Sequence, residues 1–507
     1  MATTQPTSDT AAKGQTGDYK NFIDGKWVPA KSGKTFEVNN PADPSDVIGT
    51  FPASAKEDID AAVAAAKKAY NGWRLTPAPK RGEILFKAAE LLVQRKEALA
   101  REMTREMGKV LAETRGDVQE AIDTAYFMAG EGRRLLGNTM PSELHNKFCM
   151  TTRMPLGVVG LITPWNFPIA IPSWKIFPAL ICGNTAVIKP ASDTPLLAMR
   201  LVEILEEAGL PPGVLNYVSG GGSAVGNALI QHPDVALISF TGSTDVGRKV
   251  NEGCAPTFKR CSMEMGGKNA TIIMDDANLD LAIDGVVWGA FGTSGQRCTA
   301  TSRIIVHQAV YEEVKKQMIE KINAMKLGYG LNDGVTVGPV VNEAAMKGIL
   351  EYIEIGKNEG AELLTGGQRD TAAGPGWFIQ PTLFGNVKPN MRIAQEEIFG
   401  PVTALIPVNS FQEAIQVAND IEYGLSTSIY TKNVNQAFEA LRDLESGLTY
   451  VNAPTIGAEV HLPFGGTKNT GNGHREMGEA CLDYFTEWKS MFVDYSDSLQ
   501  RAQIDVD

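Results

Sequence analysis

Residues 157–162 read Gly157-Val158-Val159-Gly160-Leu161-Ile162, and Thr163-Pro164-Trp165-Asn166-Phe167-Pro168 follows at once. A short apolar run with no polar alternation is a strand buried on both faces. Three more such strands follow at 185–188, 214–218 and 236–240. Helical spacing fills the gaps at 173–180, 195–208, 224–231 and 244–252. Strand and helix in alternation predict an α/β fold: a parallel sheet covered on both faces.

Outward from that block the pattern continues. Upstream, 21–28 and 35–38 read as short strands, and 59–73, 81–103 and 114–136 as long helices. After Glu264 a second alternating unit begins. It has strands at 271–274, 302–306, 403–408 and 425–430, and helices at 279–291, 310–325, 343–358 and 411–419. No low-complexity linker separates the two units, so the border near Met265-Gly266-Gly267 is tight.

A chain of 507 residues is too long for one core and predicts two or three domains. Acidic side chains outnumber basic ones, 59 to 47, and no long basic stretch appears, which argues against nucleic acid as a partner. The six cysteines (149, 182, 254, 261, 298, 481) form no Cys-x-x-Cys pair, and five histidines are scattered among them. Neither a metal site nor a disulfide framework is expected. Residues 1–18 are rich in Thr, Ser and Gly, have no apolar core and lack Arg, so they read as a disordered tail rather than a signal or transit peptide. The apolar run 176–188 is interrupted by Pro178, Gly183 and Asn184 and is too short to span a bilayer. A cytoplasmic protein with no membrane partner is the expectation.

Several motifs carry chemistry. Cys298 lies in Gly295-Gln296-Arg297-Cys298-Thr299, at a Gly-rich junction between a helix and a strand. A thiol there with a cationic neighbour is a candidate nucleophile, and a buried structural cysteine is the alternative. Asn166 leaves the end of a buried strand, where open α/β sheets bind ligands. Its amide can stabilise an oxyanion or cap a turn. Lys189 also leaves a strand end, suited either to a ribose or phosphate or to solvent. Thr241-Gly242-Ser243-Thr244 is a strand, a turn and a helix start, a geometry that suits pyrophosphate. Gly220-Gly221-Gly222 with Gly226 is a second glycine cluster, and neither matches G-x-G-x-x-G. Glu264 reads three ways: a ribose ligand, a general base near the thiol, or a surface carboxylate. Glu397 and Phe399 stand two apart in Glu396-Glu397-Ile398-Phe399-Gly400, and Pro463-Phe464-Gly465-Gly466 is a late Gly-rich loop.

In this order, from about Asn21 to Val493, the motifs resemble the NAD(P)-dependent aldehyde dehydrogenase superfamily. The resemblance implies a Rossmann-like parallel-sheet cofactor domain (19–136 and 154–265), an α/β catalytic domain (266–466) and a small β oligomerisation arm (137–153 and 484–500). A homodimer or homotetramer is implied with it. Cys298 becomes the nucleophile, Glu264 the general base, Asn166 with the Cys298 N–H the oxyanion site, and Lys175 a proton-relaying lysine. Thr163, Trp165, Lys189, Ser192, Gly226, Gly242, Ser243, Glu397 and Phe399 become cofactor contacts. Phe167 and Trp174 wall the substrate tunnel with Thr299 and Phe464, and residues 456–461 form its mouth.

One position departs from the pattern. Many NAD-preferring members carry Glu three residues after the lysine, where this chain has Ser192. A carboxylate repels a 2′-phosphate and a serine can donate to it, so NADP is expected to be accepted beside NAD. Arg297 beside the nucleophile suggests an anionic aldehyde, such as the semialdehyde of 2-oxoglutarate, with a purely structural arginine as the alternative. Rival readings are a broad enzyme for neutral aldehydes, a CoA-acylating relative, and a cysteine hydrolase using His307.

Overall fold

The computed structural model describes residues 16–504. Most of the expected tail lies outside them. Its end does not fit that expectation: Gly17–Asp18 form a strand parallel to Gly49 and Thr50. The strand Asp43–Pro52 that it pairs with has no clean apolar period and is not among the expected strands.

The first seven-stranded sheet has the order Arg260–Glu264, Val235–Thr241, Val158–Ile162, Thr185–Lys189, Leu215–Tyr217, Asn21–Ile23, Lys26–Val28. The first five strands run parallel, and the last two form an antiparallel hairpin. Asp24 and Gly25 turn that hairpin at φ 50° and 75°, as a type I′ turn requires. Val158–Ile162 is wholly buried, as its composition predicts. From it the chain builds outward in one direction through 185–189 and 215–217, and in the other through 235–241 and 260–264. The switch point therefore lies between Val158–Ile162 and Val235–Thr241, and a crevice opens beyond their carboxyl ends. Asn166 follows the first of these strands and Ser243 the second.

Five residues after Glu264 the chain enters the second sheet at Asn269–Ile273. Its order is Glu362–Thr365, Thr382–Gly385, Val402–Val408, Thr301–His307, Asn269–Ile273, Ser426–Tyr430, Leu448–Val451, parallel except for the first. A third sheet joins Thr486–Asp494, Lys147–Pro155 and Thr139–Pro141. Trp488 and Phe492 stand exposed on it.

The long helices are Lys56–Leu75, Ala78–Met107 and Leu111–Glu131. The third ends five residues before the expected position. Gly132 is pressed against the Ala78 carbonyl, where a Cβ would come within 2.7 Å, and the chain leaves the helix there. The helix expected over 224–231 is a π-turn, Gly222–Gly226, running into Asn227–Gln231. No helix among the described residues is long and apolar enough to cross a membrane.

Candidate active site

Cys298 is held by a strained turn. Thr293 and Ser294 stand at φ 54° and 55°, which costs about 1–3 kcal/mol per residue. Four hydrogen bonds fix that conformation. Glu113 Oε1 accepts from the Thr293 N–H at 2.7 Å, and Ser294 Oγ donates to Gly338 O at 2.7 Å. Gln296 Nε2 donates to Thr293 O at 3.1 Å, while its Oε1 accepts from the Val341 N–H at 2.9 Å. Asn269 then grips the segment from the other side, its Nδ2 donating to Cys298 O at 2.7 Å and Ala300 O at 2.9 Å. Gly267 completes the fit, since a Cβ there would lie 2.8 Å from Cys298 O.

The Cys298 thiol is free and half-buried. Burial pushes it up to about 12, with the carboxylates of Glu397 and Glu264 adding to the rise. The Thr299 N–H and the Arg297 charge oppose that rise more weakly. The expected activation by a cationic neighbour is therefore outweighed, because Arg297 is turned onto other partners. Its Nε donates to Thr293 Oγ1 at 2.9 Å, and its Nη2 pairs with Glu113 Oε1 at 3.3 Å. The guanidinium lies 5.4 Å from the Phe167 ring centroid. Nη1 has no hydrogen-bond partner among the described residues.

Asn166 Nδ2 donates to Gln296 O at 3.0 Å, which aims the amide and leaves its second N–H uncommitted. Glu264 ends its strand with a buried carboxyl. Neither oxygen finds a partner at hydrogen-bond geometry, although the Gly466 N–H lies nearby. Burial and then the Glu476 carboxylate hold Glu264 well above the usual carboxylate range, and Lys175 and Arg475 pull it back less strongly. Lys175 is fully buried; its Nζ donates to Ser239 Oγ at 2.9 Å and pairs with Glu476.

Glu476 was missed in the sequence. Its backbone exchanges two hydrogen bonds with Phe464, each 2.7 Å, so a loop 212 positions beyond Glu264 returns beneath it. The signal available was a buried acid in the Gly-rich run 471–478, and it has no spacing rule. Asn269, Glu113, Lys109 and Asp117 were missed for the same reason. Lys109 and Asp117 form a fully buried ion pair at 2.6 Å, and the Lys109 ammonium sits 3.6 Å from the Phe167 centroid. Phe167 is thus contacted by two cations.

A cleft of about 340 Å³ opens at the switch point. Thr163, Trp165, Asn166, Lys189, Gly242, Ser243, Glu397, Phe399 and Cys298 all line it. Trp165 and Phe399 meet edge to face at 5.3 Å. Ser243 caps the helix Thr244–Cys254 without a side-chain bond, leaving the free N–H groups of that terminus for an anion. The residues fit a dinucleotide. Glu397 Oε1 accepts from the Gly267 N–H at 3.0 Å, and a Cβ on Gly266 would strike Glu397 Oε2 at 2.1 Å, so the wall stays flat there. Lys189 Nζ donates to Pro190 O at 2.9 Å, and burial lowers its ammonium to about 8.

Ser192 and Gly226 are not among the residues lining this cleft. Ser192 Oγ donates to Gly220 O at 3.1 Å, and Gly226 closes the π-turn. On the substrate side Trp174 and Phe464 pack at 5.0 Å in a small apolar cluster that Phe167, Cys298, Ala458 and Val460 abut. His307 is held by Asn409 O and the Ala309 N–H, which removes the cysteine–histidine reading.

A switch-point cleft that joins a thiol and an uncommitted amide N–H, with the buried Glu264 carboxyl outside its lining but near enough to raise the thiol, defines a cofactor-dependent enzyme of thiol chemistry. Comparison with known proteins gives its family. The sequence model of the aldehyde dehydrogenase family matches residues 27–491. The chain is 44% identical over 477 residues to an alpha-ketoglutaric semialdehyde dehydrogenase of Bacillus subtilis, covering 94% of this chain and 98% of that one. It is 44% identical over 483 residues to an alpha-ketoglutarate semialdehyde dehydrogenase of Haloferax volcanii, covering 95% and 100%. A crystal structure of an NAD-dependent aldehyde dehydrogenase from Sinorhizobium meliloti superposes with a TM-score of 0.94 at 36% identity, covering 98% of each chain. The chain belongs to the aldehyde dehydrogenase family and is an NAD(P)-dependent oxidoreductase.

Proposed function

We propose that the enzyme oxidises a short anionic semialdehyde, that of 2-oxoglutarate first among them, to the corresponding acid. The observation that carries this reading is Arg297. Its guanidinium is braced by Thr293, Glu113 and the Phe167 ring beside the thiol, with Nη1 still available to a carboxylate. A charge-assisted hydrogen bond from that one nitrogen to a substrate carboxylate would be among the stronger hydrogen bonds a site can offer. Two relatives at 44% identity carry the name of that semialdehyde's dehydrogenase, which supports the same choice.

The chemistry follows from the side chains. At neutral pH the Cys298 thiol keeps its proton, so attack on the aldehyde carbon requires a base. Glu264 takes the proton, directly or through one water. The uncommitted Asn166 N–H and the Cys298 N–H hold the oxyanion; losing one such donor costs about 10²–10³ in rate. A nicotinamide held along the wall that Glu397 and Phe399 contribute would supply the hydride acceptor. Glu264 then draws a proton from the water that hydrolyses the Cys298 thioester, and Lys175 and Glu476 hold charge behind it. This buried base favours water over CoA as acyl acceptor.

Ser192 leaves no carboxylate at its own position to repel a 2′-phosphate, which supports acceptance of NADP⁺ as well as NAD⁺. The exposed Trp488 and Phe492 on the third sheet support a homodimer or homotetramer.

Arg297→Ala is the test of the substrate class. Activity on the 2-oxoglutarate semialdehyde should fall at least about tenfold more than activity on a neutral aldehyde of equal length, a difference of ~1.4 kcal/mol. Equal losses on both substrates reject the anion anchor.

A further inference from the structure

Two carboxylates one helical turn apart hold the two halves of the site. The helix Leu111–Glu131 carries Glu113 and Asp117 at i and i+4, so both side chains leave the same face. Glu113 Oε1 accepts the Thr293 N–H at 2.7 Å, in the turn through which the second sheet presents Cys298. Asp117 Oδ1 accepts the Ala170 N–H at 3.0 Å, where the helix Ala170–Ile181 begins on the chain leaving the first sheet. Asn166 lies in the short link just before that helix. The N-cap residue Ile169 makes no side-chain cap, so Asp117 supplies from another helix the acceptor that a local cap would. Each carboxylate has its own cation: Arg297 at 3.3 Å from Glu113, and Lys109 at 2.6 Å from Asp117. Both cations lie over the ring of Phe167, the neighbour of Asn166, at 5.4 and 3.6 Å from its centroid.

Lys109 and Asp117 are wholly buried. A buried ion pair can often be replaced by apolar side chains without loss of stability. Stability alone is therefore a weak reason for two charges in this place. Their bonds give a better one. One carboxylate holds the turn of the thiol, the other holds the loop of the amide, and the turn of helix between them fixes the spacing. Asn166 also meets the Cys298 segment directly, through Gln296 O at 3.0 Å. A single bond fixes a distance but not an orientation, and the Asp117 bond with the Lys109–Phe167 contact supplies the rest.

We propose that the helix Leu111–Glu131 sets the register of the thiol against the oxyanion donor, with Asp117, braced by Lys109, as the positioning residue on the Asn166 side. The inference rests on Asn166 being that donor.

The test compares two charge-free replacements in the full chain. Lys109→Met with Asp117→Leu removes the ion pair and the acceptor for the Ala170 N–H. Lys109→Met with Asp117→Asn removes the charges but keeps an oxygen for that N–H. In the Leu variant kcat/KM for aldehyde should fall by about 10²–10³, the cost of a lost oxyanion donor. Alkylation of Cys298 by iodoacetamide, which builds no oxyanion, should keep the parent rate, and so should the Kd for cofactor keep its value. The Asn variant should recover at least about tenfold of the lost kcat/KM, because the acceptor that aims the loop is back. Equal activity in the two variants overturns the proposal. A Cys298 alkylation rate that falls in step with turnover also overturns it, since a general loosening moves both. Asn166→Ala in the parent enzyme separates this inference from the reading beneath it. An unchanged kcat/KM there removes the oxyanion role of Asn166 and the inference with it, whereas a loss there beside full activity in the Leu variant removes only the role of Asp117. If the Leu variant does not fold, amide hydrogen exchange on the unsubstituted enzyme decides. The Ala170 amide stands at a helix start, where no intrahelical acceptor slows exchange. It should nevertheless be as protected as the amides inside helix Leu111–Glu131, and rapid exchange at Ala170 overturns the proposal.

Discussion

The Glu113 carboxylate serves two masters near the nucleophile: its Oε1 accepts both the Thr293 N–H at 2.7 Å and the Arg297 guanidinium at 3.3 Å. The first bond holds a left-handed threonine in the turn that presents Cys298. The second competes with any carboxylate that Arg297 would bind. Glu113→Gln keeps an acceptor for the N–H and removes the competing charge. KM for an anionic aldehyde should fall several-fold, about 1 kcal/mol for a part-buried pair, with KM for a neutral aldehyde unchanged. Glu113→Ala removes both bonds and should lower kcat on every aldehyde. Steady-state kinetics on the two substrates separates these outcomes; an unchanged KM in Glu113→Gln would show that the pair does not compete with substrate.

Glu264 titrates high because it is buried beside Glu476. A carboxyl raised in this way is protonated below its folded pKa and becomes a base as pH rises through it. Hydrolysis of the thioester should therefore increase with pH, along a limb above the ordinary carboxylate range. In Glu476→Gln one negative neighbour is gone and the Lys175 charge is no longer offset, so both changes favour ionised Glu264. The limb should move to lower pH. Single-turnover acid release across pH measures it, and a limb that stays in place would detach Glu476 from the base.

Much of the fold was legible because its signal is local. The continuous apolar runs at 157–162 and 185–188 could be little else than doubly covered strands, and the tight border near 265–267 follows from the lack of any low-complexity linker there. Asn166 and Lys189 could be placed because each leaves a strand end where a parallel sheet binds ligands, and Cys298 because it lies at a Gly-rich helix-to-strand junction beside a cation. What stayed hidden depends on distance along the chain. Glu476 reaches Lys175 across 301 positions and Glu113 reaches Thr293 across 180, and no periodicity connects such pairs. The direction of the Arg297 side chain was equally out of reach: adjacency to Cys298 says nothing about a guanidinium drawn away by Glu113. Strand Asp43–Pro52 was missed because Pro, Asp and Gly interrupt it, and its pairing on both sides overrides their weak propensity.

Lys189 gives cofactor choice a pH signature. Burial lowers its ammonium to about 8, so charge is lost as pH rises through that value. A 2′-phosphate favours the charged form, and NADP⁺ binding above pH 8 should take up protons. The ratio of NADP⁺ to NAD⁺ affinity should decline between pH 7 and 9. Ser192→Glu should weaken NADP⁺ at least about tenfold, ~1.4 kcal/mol, and leave NAD⁺ within a factor of a few. Titration of each cofactor by protein fluorescence reads both effects; equal pH dependence for the two cofactors would remove Lys189 from the 2′ position.

Gly465 offers the sharpest separation of the two half-reactions. It stands at φ +149°, where side chains are strained, and a Cβ would lie 2.3 Å from Glu264 Oε1. Something must give, and the carboxyl is the neighbour free of hydrogen bonds at bonding geometry. Gly465→Ala should therefore displace the base while leaving the Cys298 turn, which hangs on Glu113, Gln296 and Asn269, in place. A positioned general base contributes about 10²–10⁴ in rate. Steady-state turnover should drop into that range below the parent enzyme. Because Glu264 also takes the Cys298 proton, rapid mixing should show no burst of reduced cofactor before the slow phase; a burst near one per active site would mean that Glu264 serves only the release of the acid. Loss of the burst together with turnover would mean that the same carboxyl is also required to deprotonate the thiol, because burial keeps that thiol protonated when no base is in reach.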